Sequence, residues 1–110
     1  MKRKDVEINL QNKNDNTALI LASLNGNTEV VKELLDRKDI DVNGKDDNGE
    51  TALMWASYNG HTEIVKELLN KKDIDINVQN DEHGNTALIT ASSNGHIGVV
   101  KELLDREDID

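Results

Sequence analysis

The chain has 110 residues, 22 of them acidic and 13 basic, for a formal charge of −9, with one Trp, one Tyr, no Phe and no Cys. Such a charge repels a phosphate backbone or an anionic membrane, and the lack of cysteine excludes disulfides, thiolate nucleophiles and thiolate zinc sites. No apolar run approaches membrane-spanning length, so the expectation is one soluble domain with an aliphatic core, intracellular and cytoplasmic, with a secreted effector as the alternative.

The chain opens on MKRKDVEINL, basic but with no apolar stretch behind the charges, so it does not have the form of a secretory leader. Its KDVEIN corresponds to KDIDVN at 38–43 and KDIDIN at 72–77, and residues 1–16 are expected to be the remnant finger of a preceding unit. From Thr17 the sequence repeats itself: TALILASLNGNTEVVKELLDRKDIDVN, TALMWASYNGHTEIVKELLNKKDIDIN from Thr51 and TALITASSNGHIGVVKELLDREDID from Thr86 align without gaps. The spacing is 34 residues from Thr17 to Thr51 and 35 from Thr51 to Thr86, the extra residue falling in VQNDEHGN. Units are expected at 17–50, 51–85 and 86–110, the last with a truncated finger.

Each unit is expected to be helix, turn, helix and extended finger. Thr51 suits an N-cap, and ALMWAS makes about two turns before Asn59 and Gly60, both able to take positive φ. In TEIVKELLNKK, Ile64, Val65, Leu68 and Leu69 share one face at the spacing of a buried stripe, and Glu67 stands i,i+4 from Lys71. DIDIN alternates polar and β-branched residues as a short arm, and the Asn, Asp and Gly that follow turn the chain back.

Residues 39–50, DIDVNGKDDNGE, match the calcium-loop template with Asp39, Asp41, Asn43, Gly44 and Glu50 in place. The corresponding stretches do not: 5–16 has Leu10 and Asn16 at the Gly and Glu positions, and 73–84 has Val78 and Gly84. Position eight is the charged Asp46, so calcium binding is kept as a minor alternative to a solvated finger. His61 and His96 occupy equivalent places in neighbouring units, expected about 8–10 Å apart across packed helices, too far to share a zinc ion that needs each nitrogen at about 2.0 Å. Capping of the second helix is their expected role, Asn27 filling that place in the first unit. His83 sits in a finger turn. Gly98 stands where the other units have Glu29 and Glu63, and glycine inside a helix marks the last unit as the first to fray.

Over nearly its whole length the chain resembles the ankyrin repeat family, with its period near 33 and its T-P-L-H-x-A signature. TALILA, TALMWA and TALITA stand in place of that signature. Ala18, Ala52 and Ala87 replace the family's Pro, and Ile20, Met54 and Ile89 replace its His. The resemblance implies an all-α solenoid of stacked helix-turn-helix units joined by extended β-hairpin fingers. It also implies that the hydrogen bonds His makes between repeats are lost here, leaving more of the cohesion to apolar packing. In LLDRKDIDVN the family's Gly before D-V-N is missing, which leaves that loop's path open.

No Ser or Thr has a His and an acid placed to make it a nucleophile, and no Gly-rich loop opens a helix after a strand, so no catalysis and no cofactor are expected. The resemblance implies a protein-interaction module whose partner lies on the concave face of fingers and first helices. Trp55 and Tyr58 are its expected anchors, unless Trp55 serves to pack the units. Leu21 and Leu24 would extend the strip, and Asp47, Asn48 and Glu50 would favour a basic partner surface. The alternative is a purely structural piece: near-duplicate units, a broken unit at each end and no polar capping helices fit a fragment of a longer array or an engineered stack, with end-to-end self-association through the uncapped ends. A further alternative implied by the family is asparaginyl hydroxylation at Asn43 or Asn77.

Overall fold

A computed structural model describes residues 6–106, leaving the first and last few residues of the outer finger segments outside the described part. Among the described residues six short helices follow one another: α1 (Ala18–Leu24), α2 (Thr28–Leu35), α3 (Ala52–Tyr58), α4 (Thr62–Leu69), α5 (Ala87–Ser93) and α6 (Ile97–Leu104). They form two rows, α1 against α3 against α5 and α2 against α4 against α6, with each pair also packed on itself. The result is an elongated body of 43 × 26 × 23 Å.

Each first helix starts on the threonine expected to cap it: Thr17, Thr51 and Thr86 accept from the amides of Ile20, Met54 and Ile89 at 3.2, 3.3 and 3.2 Å. Each ends at an Asn-Gly pair in which only the glycine, Gly26, Gly60 or Gly95, takes positive φ; Asn59 stays at φ −93°. The second helices bury the expected stripe, with Ile64, Val65 and Leu68 fully inside and Leu69 partly so. Leu19, Ile20, Val31 and Leu35 of the first unit, Leu53, Ile64, Val65 and Leu68 of the second and Val99 and Leu103 of the third join one continuous aliphatic core that also takes Ile8, Ile40, Val42, Ile74 and Ile76 from the fingers.

The fingers expected as hairpins close on themselves at their tips, through the amides of Asn12, Asp46 and Asn80 on the carbonyls of Asn16, Glu50 and Asn85. Among the described residues there is no β-strand, and each finger is a chain of turns. The reason is local: Asp41 Oδ1 accepts the amide of Asn43 and Asp75 Oδ1 that of Asn77, so the short acidic side chains hold their own backbone and leave little of it for a ladder. A second turn closes each tip. Asn12, Asp46 and Asn80 stand in register, and each side-chain Oδ1 accepts two backbone amides across its tip. Gly49 and Gly84 take positive φ there, and Asp15 does so in the first finger, at φ 63°. The stretch lacking the family glycine closes without one, through the Ile40 amide on the Arg37 carbonyl and the Ile74 amide on that of Lys71.

The apolar Ile20, Met54 and Ile89 cannot supply the bonds that the family's His makes between repeats, and side chains at other positions bond the units together instead. Asn59 Nδ2 donates to the Leu24 carbonyl at 3.1 Å and Asn94 Nδ2 to that of Tyr58 at 3.1 Å. His61 and His96 occupy the N-cap positions without capping their own helices; their Nε2 atoms lie 3.3 and 2.9 Å from those same two carbonyls. Lys71 donates to the Leu35 carbonyl at 3.0 Å, and Arg106 to that of Leu69 at 2.8 Å, placing a cation on the C-terminal end of the preceding unit's second helix. Lys71 thus reaches the neighbouring unit rather than pairing with Glu67. Along the fingers, the amide of Asn9 spans the backbone of Asp39 and Asp41, and that of Asn43 spans Asp73 and Asp75.

Candidate functional site

The row of first helices and the finger tips border a groove between the second and third units. It has a volume of about 210 Å³ and is lined by Glu50, Tyr58, Asn80, Glu82, His83, Asn85, Thr90, Ser93 and Asn94. Its one large apolar surface is the half-exposed ring of Tyr58, the last residue of α3. That ring meets Trp55 edge to face, with centroids 5.9 Å apart and an interplanar angle of 81°.

Trp55 is fixed from the other side. Its Nε1 donates to Asp46 Oδ2 at 2.9 Å, while Asp46 Oδ1 accepts the amides of Asn48 and Glu50 at 3.0 and 2.9 Å. One nearly buried carboxylate therefore ties the indole of α3 to the turn of the finger in front of it. This position was the charged eighth residue of the calcium-like stretch, and its role as the fastening of the finger carried no signature in the sequence. Glu50 stands at the rim, and burial holds its carboxyl above the usual glutamate range, with the charge of Asp46 adding to the effect and the Asn80 amide, 3.4 Å away, opposing it.

Of the residues expected to contact a partner, Tyr58 and Glu50 line the groove and Trp55 supports it from behind. Leu21 and Leu24 hold the register of Trp55 and Tyr58 on α1, Leu21 exposed and Leu24 half-buried. Asp47 and Asn48 are exposed at the tip, where their backbones run into the row of fingers: the Asp47 amide donates to the Asn14 carbonyl, and the Asn48 carbonyl accepts from Asp81. Asn80, Asn85, Thr90 and Asn94, which sequence reasoning did not single out, complete the groove.

The calcium-like stretch does not gather its carboxylates. Asp39 is bridged by Arg37 at 2.9 and 2.7 Å, which holds its carboxyl below the usual range, Asn43 is committed to the next finger, and Asp46 to Trp55. Among the described residues no three His, Asp or Glu side chains are grouped as metal ligands. A larger hollow of about 370 Å³, bordered by Lys38, Ile40, Asn70, Lys71, Lys72 and Asp73, lies where the end of α4 meets the fingers and contains no aromatic side chain. No helix among the described residues is long and apolar enough to cross a membrane.

A family model described as ankyrin repeats in three copies matches residues 1–80. A second, described as ankyrin repeats in many copies, matches residues 60–104. No curated protein matches the chain.

Proposed function

Because the chain belongs to the ankyrin repeat family, we propose that it is a non-catalytic interaction module that receives a protein partner in the groove beside Tyr58. Ankyrin repeats are generally protein–protein interaction modules, and the finer assignment rests on one observation: the half-exposed Tyr58 ring, backed by an indole that is itself hydrogen-bonded to Asp46, at the mouth of a groove with polar walls. A rigid aromatic presented this way loses little entropy when a partner covers it. Leu21 and Leu24 extend the apolar strip toward the first unit, and Asp47, Asn48 and Glu50 bias the rim toward a basic surface. With a charge of −9 on the chain, association should slow as salt rises.

Affinity capture with the parent chain, beside Tyr58→Ala and Glu50→Lys variants shown to be folded by circular dichroism, tests this. The expected result is a partner lost from both variants, Tyr58→Ala costing about 2 kcal/mol or more. A partner held as tightly by both variants would move the assignment to the outer face of the second helices, with Lys32, Lys66 and Lys101.

A further inference from the structure

The groove beside Tyr58 has a counterpart inside the molecule. Thr90 and Ser93 of α5 stand in register with Trp55 and Tyr58 of α3, and Asn80 stands in register with Asp46. Between the first and second units Trp55 fills the corresponding place, packed on the core and donating from Nε1 to Asp46 at 2.9 Å. Thr90 and Ser93 are too short to fill it again between the second and third, and the room they leave is the groove of about 210 Å³. That is less than the roughly 300–1,000 Å³ of a small-molecule pocket. It suits one long side chain.

The walls accept hydrogen bonds and supply no cation: no Lys or Arg lines them. The Glu50 carboxylate is half-buried, yet its one hydrogen-bond partner among the described residues is the Asn80 amide, at 3.4 Å. Its burial is therefore not offset by an opposite charge, and its pKa is raised accordingly. Glu82 adds a second carboxylate, with the His83 imidazole 3.3 Å away. Asn94 Nδ2 is spent on the Tyr58 carbonyl, which leaves the Asn94 oxygen to accept.

We infer that the groove takes a single arginine side chain of the partner, with its guanidinium stacked on the Tyr58 ring and bonded to Glu50. This deepens the function proposed above and rests on it. A guanidinium is flat and carries N–H donors on its edge, as the indole of Trp55 does at the neighbouring junction, but it has five of them and a permanent charge. Lysine offers the charge on a compact, strongly hydrated head that does not stack. A further aromatic side chain would fill the space and leave Glu50 without a cation.

Titration of the full chain with acetyl-Gly-Arg-Gly-amide, followed by NMR at Tyr58 and Asn94, tests this beside the same peptide carrying lysine or citrulline. The arginine peptide is expected to saturate in the millimolar range, the lysine peptide to bind more weakly, and the neutral citrulline peptide about tenfold more weakly. Glu50→Gln should weaken the arginine peptide by about tenfold, whereas Tyr58→Phe, which keeps the ring, should leave it nearly unchanged. Thr90→Trp copies the residue of the second unit and fills the groove from within, so it should abolish the response in a chain that circular dichroism shows to be folded. No saturation by the arginine peptide, a citrulline peptide that binds equally well, or binding that survives Thr90→Trp would overturn the arginine assignment. A captured partner lost from Tyr58→Ala would, in that event, still uphold the interaction reading on which it rests.

Discussion

The imidazole of His96 lies over Gly60 of the preceding unit, so close that a Cβ on that glycine would sit 2.7 Å from Nδ1. Gly60 therefore meets two demands, a positive φ of 71° and room for the ring, while Gly95, at φ 72°, meets only the first. Gly95→Ala is expected to cost about 1 kcal/mol of left-handed strain, and Gly60→Ala a further 1–3 kcal/mol or so of overpacking. Urea melts of the two variants check the difference; equal losses would mean that the ring moves aside freely.

Asp46 should be far less tolerant of change than an acidic finger residue usually is. Asp46→Ala removes the acceptor of three hydrogen bonds and is expected to cost about 2–3 kcal/mol. Asp46→Asn keeps the turn, as Asn12 and Asn80 do, but can present an NH₂ group to the indole, and should cost about 1 kcal/mol. The single Trp makes its fluorescence the direct readout: both variants should alter the emission of folded Trp55. Unchanged emission in Asp46→Ala would show the contact to be idle.

The outline of the helices was legible in the sequence because its causes are local: a threonine cap, a stripe at helical spacing, an Asn-Gly stop. The bonds between units were not. Asn59, His61 and Lys71 act on carbonyls 35 to 37 residues earlier, and a carbonyl leaves no mark in a sequence. The turns within the fingers were less legible for a related reason, since the alternation in DIDIN reads as an extended arm while the carboxylate of Asp75 holds its own backbone. At the groove, Tyr58 stood out by composition alone, whereas Asn80 and Asn94 were lost among many similar asparagines.

The orphaned hydroxyl of Ser57 offers a stability gain. Ser23 and Ser57 hold equivalent places in α1 and α3, and both Oγ atoms are buried without a hydrogen-bond partner. Ser57→Ala removes an unsatisfied group while leaving the packing in place, and should stabilise the fold by about 1 kcal/mol. A loss of stability on thermal denaturation would show that the hydroxyl has a partner in solution.

Asp15 takes the positive φ that Gly49 and Gly84 take in the other fingers. Asp15→Gly should relieve about 0.5–1 kcal/mol of strain, less than for a β-branched residue because aspartate tolerates this region. Amide exchange near the first finger should slow; faster exchange would contradict the strain.

The raised pKa of Glu50 sets the pH at which its charge matters. On raising the pH the unfolded chain releases this proton first, so the favourable contribution of the protonated group is complete below the unfolded value and is lost as pH passes through the folded one. Glu50→Gln should leave the midpoint nearly unchanged at about pH 4 and raise it at about pH 7. Thermal melts at both values check the sign, which an equal shift at each would contradict.

The bonds that join neighbouring helix pairs run from a side chain on one unit to a main-chain carbonyl on the other. Main-chain oxygens are common to all residue types, so substitutions at Leu24, Leu35, Tyr58 or Leu69 leave these acceptors in place, and a unit need not change its own side chains to suit a new neighbour. Duplication or deletion of a whole unit by unequal recombination would then yield a junction that works at once. Copy number in such an array can drift without compensating mutations, and selection is left to act on the few side chains, Tyr58 among them, in which one unit differs from the next.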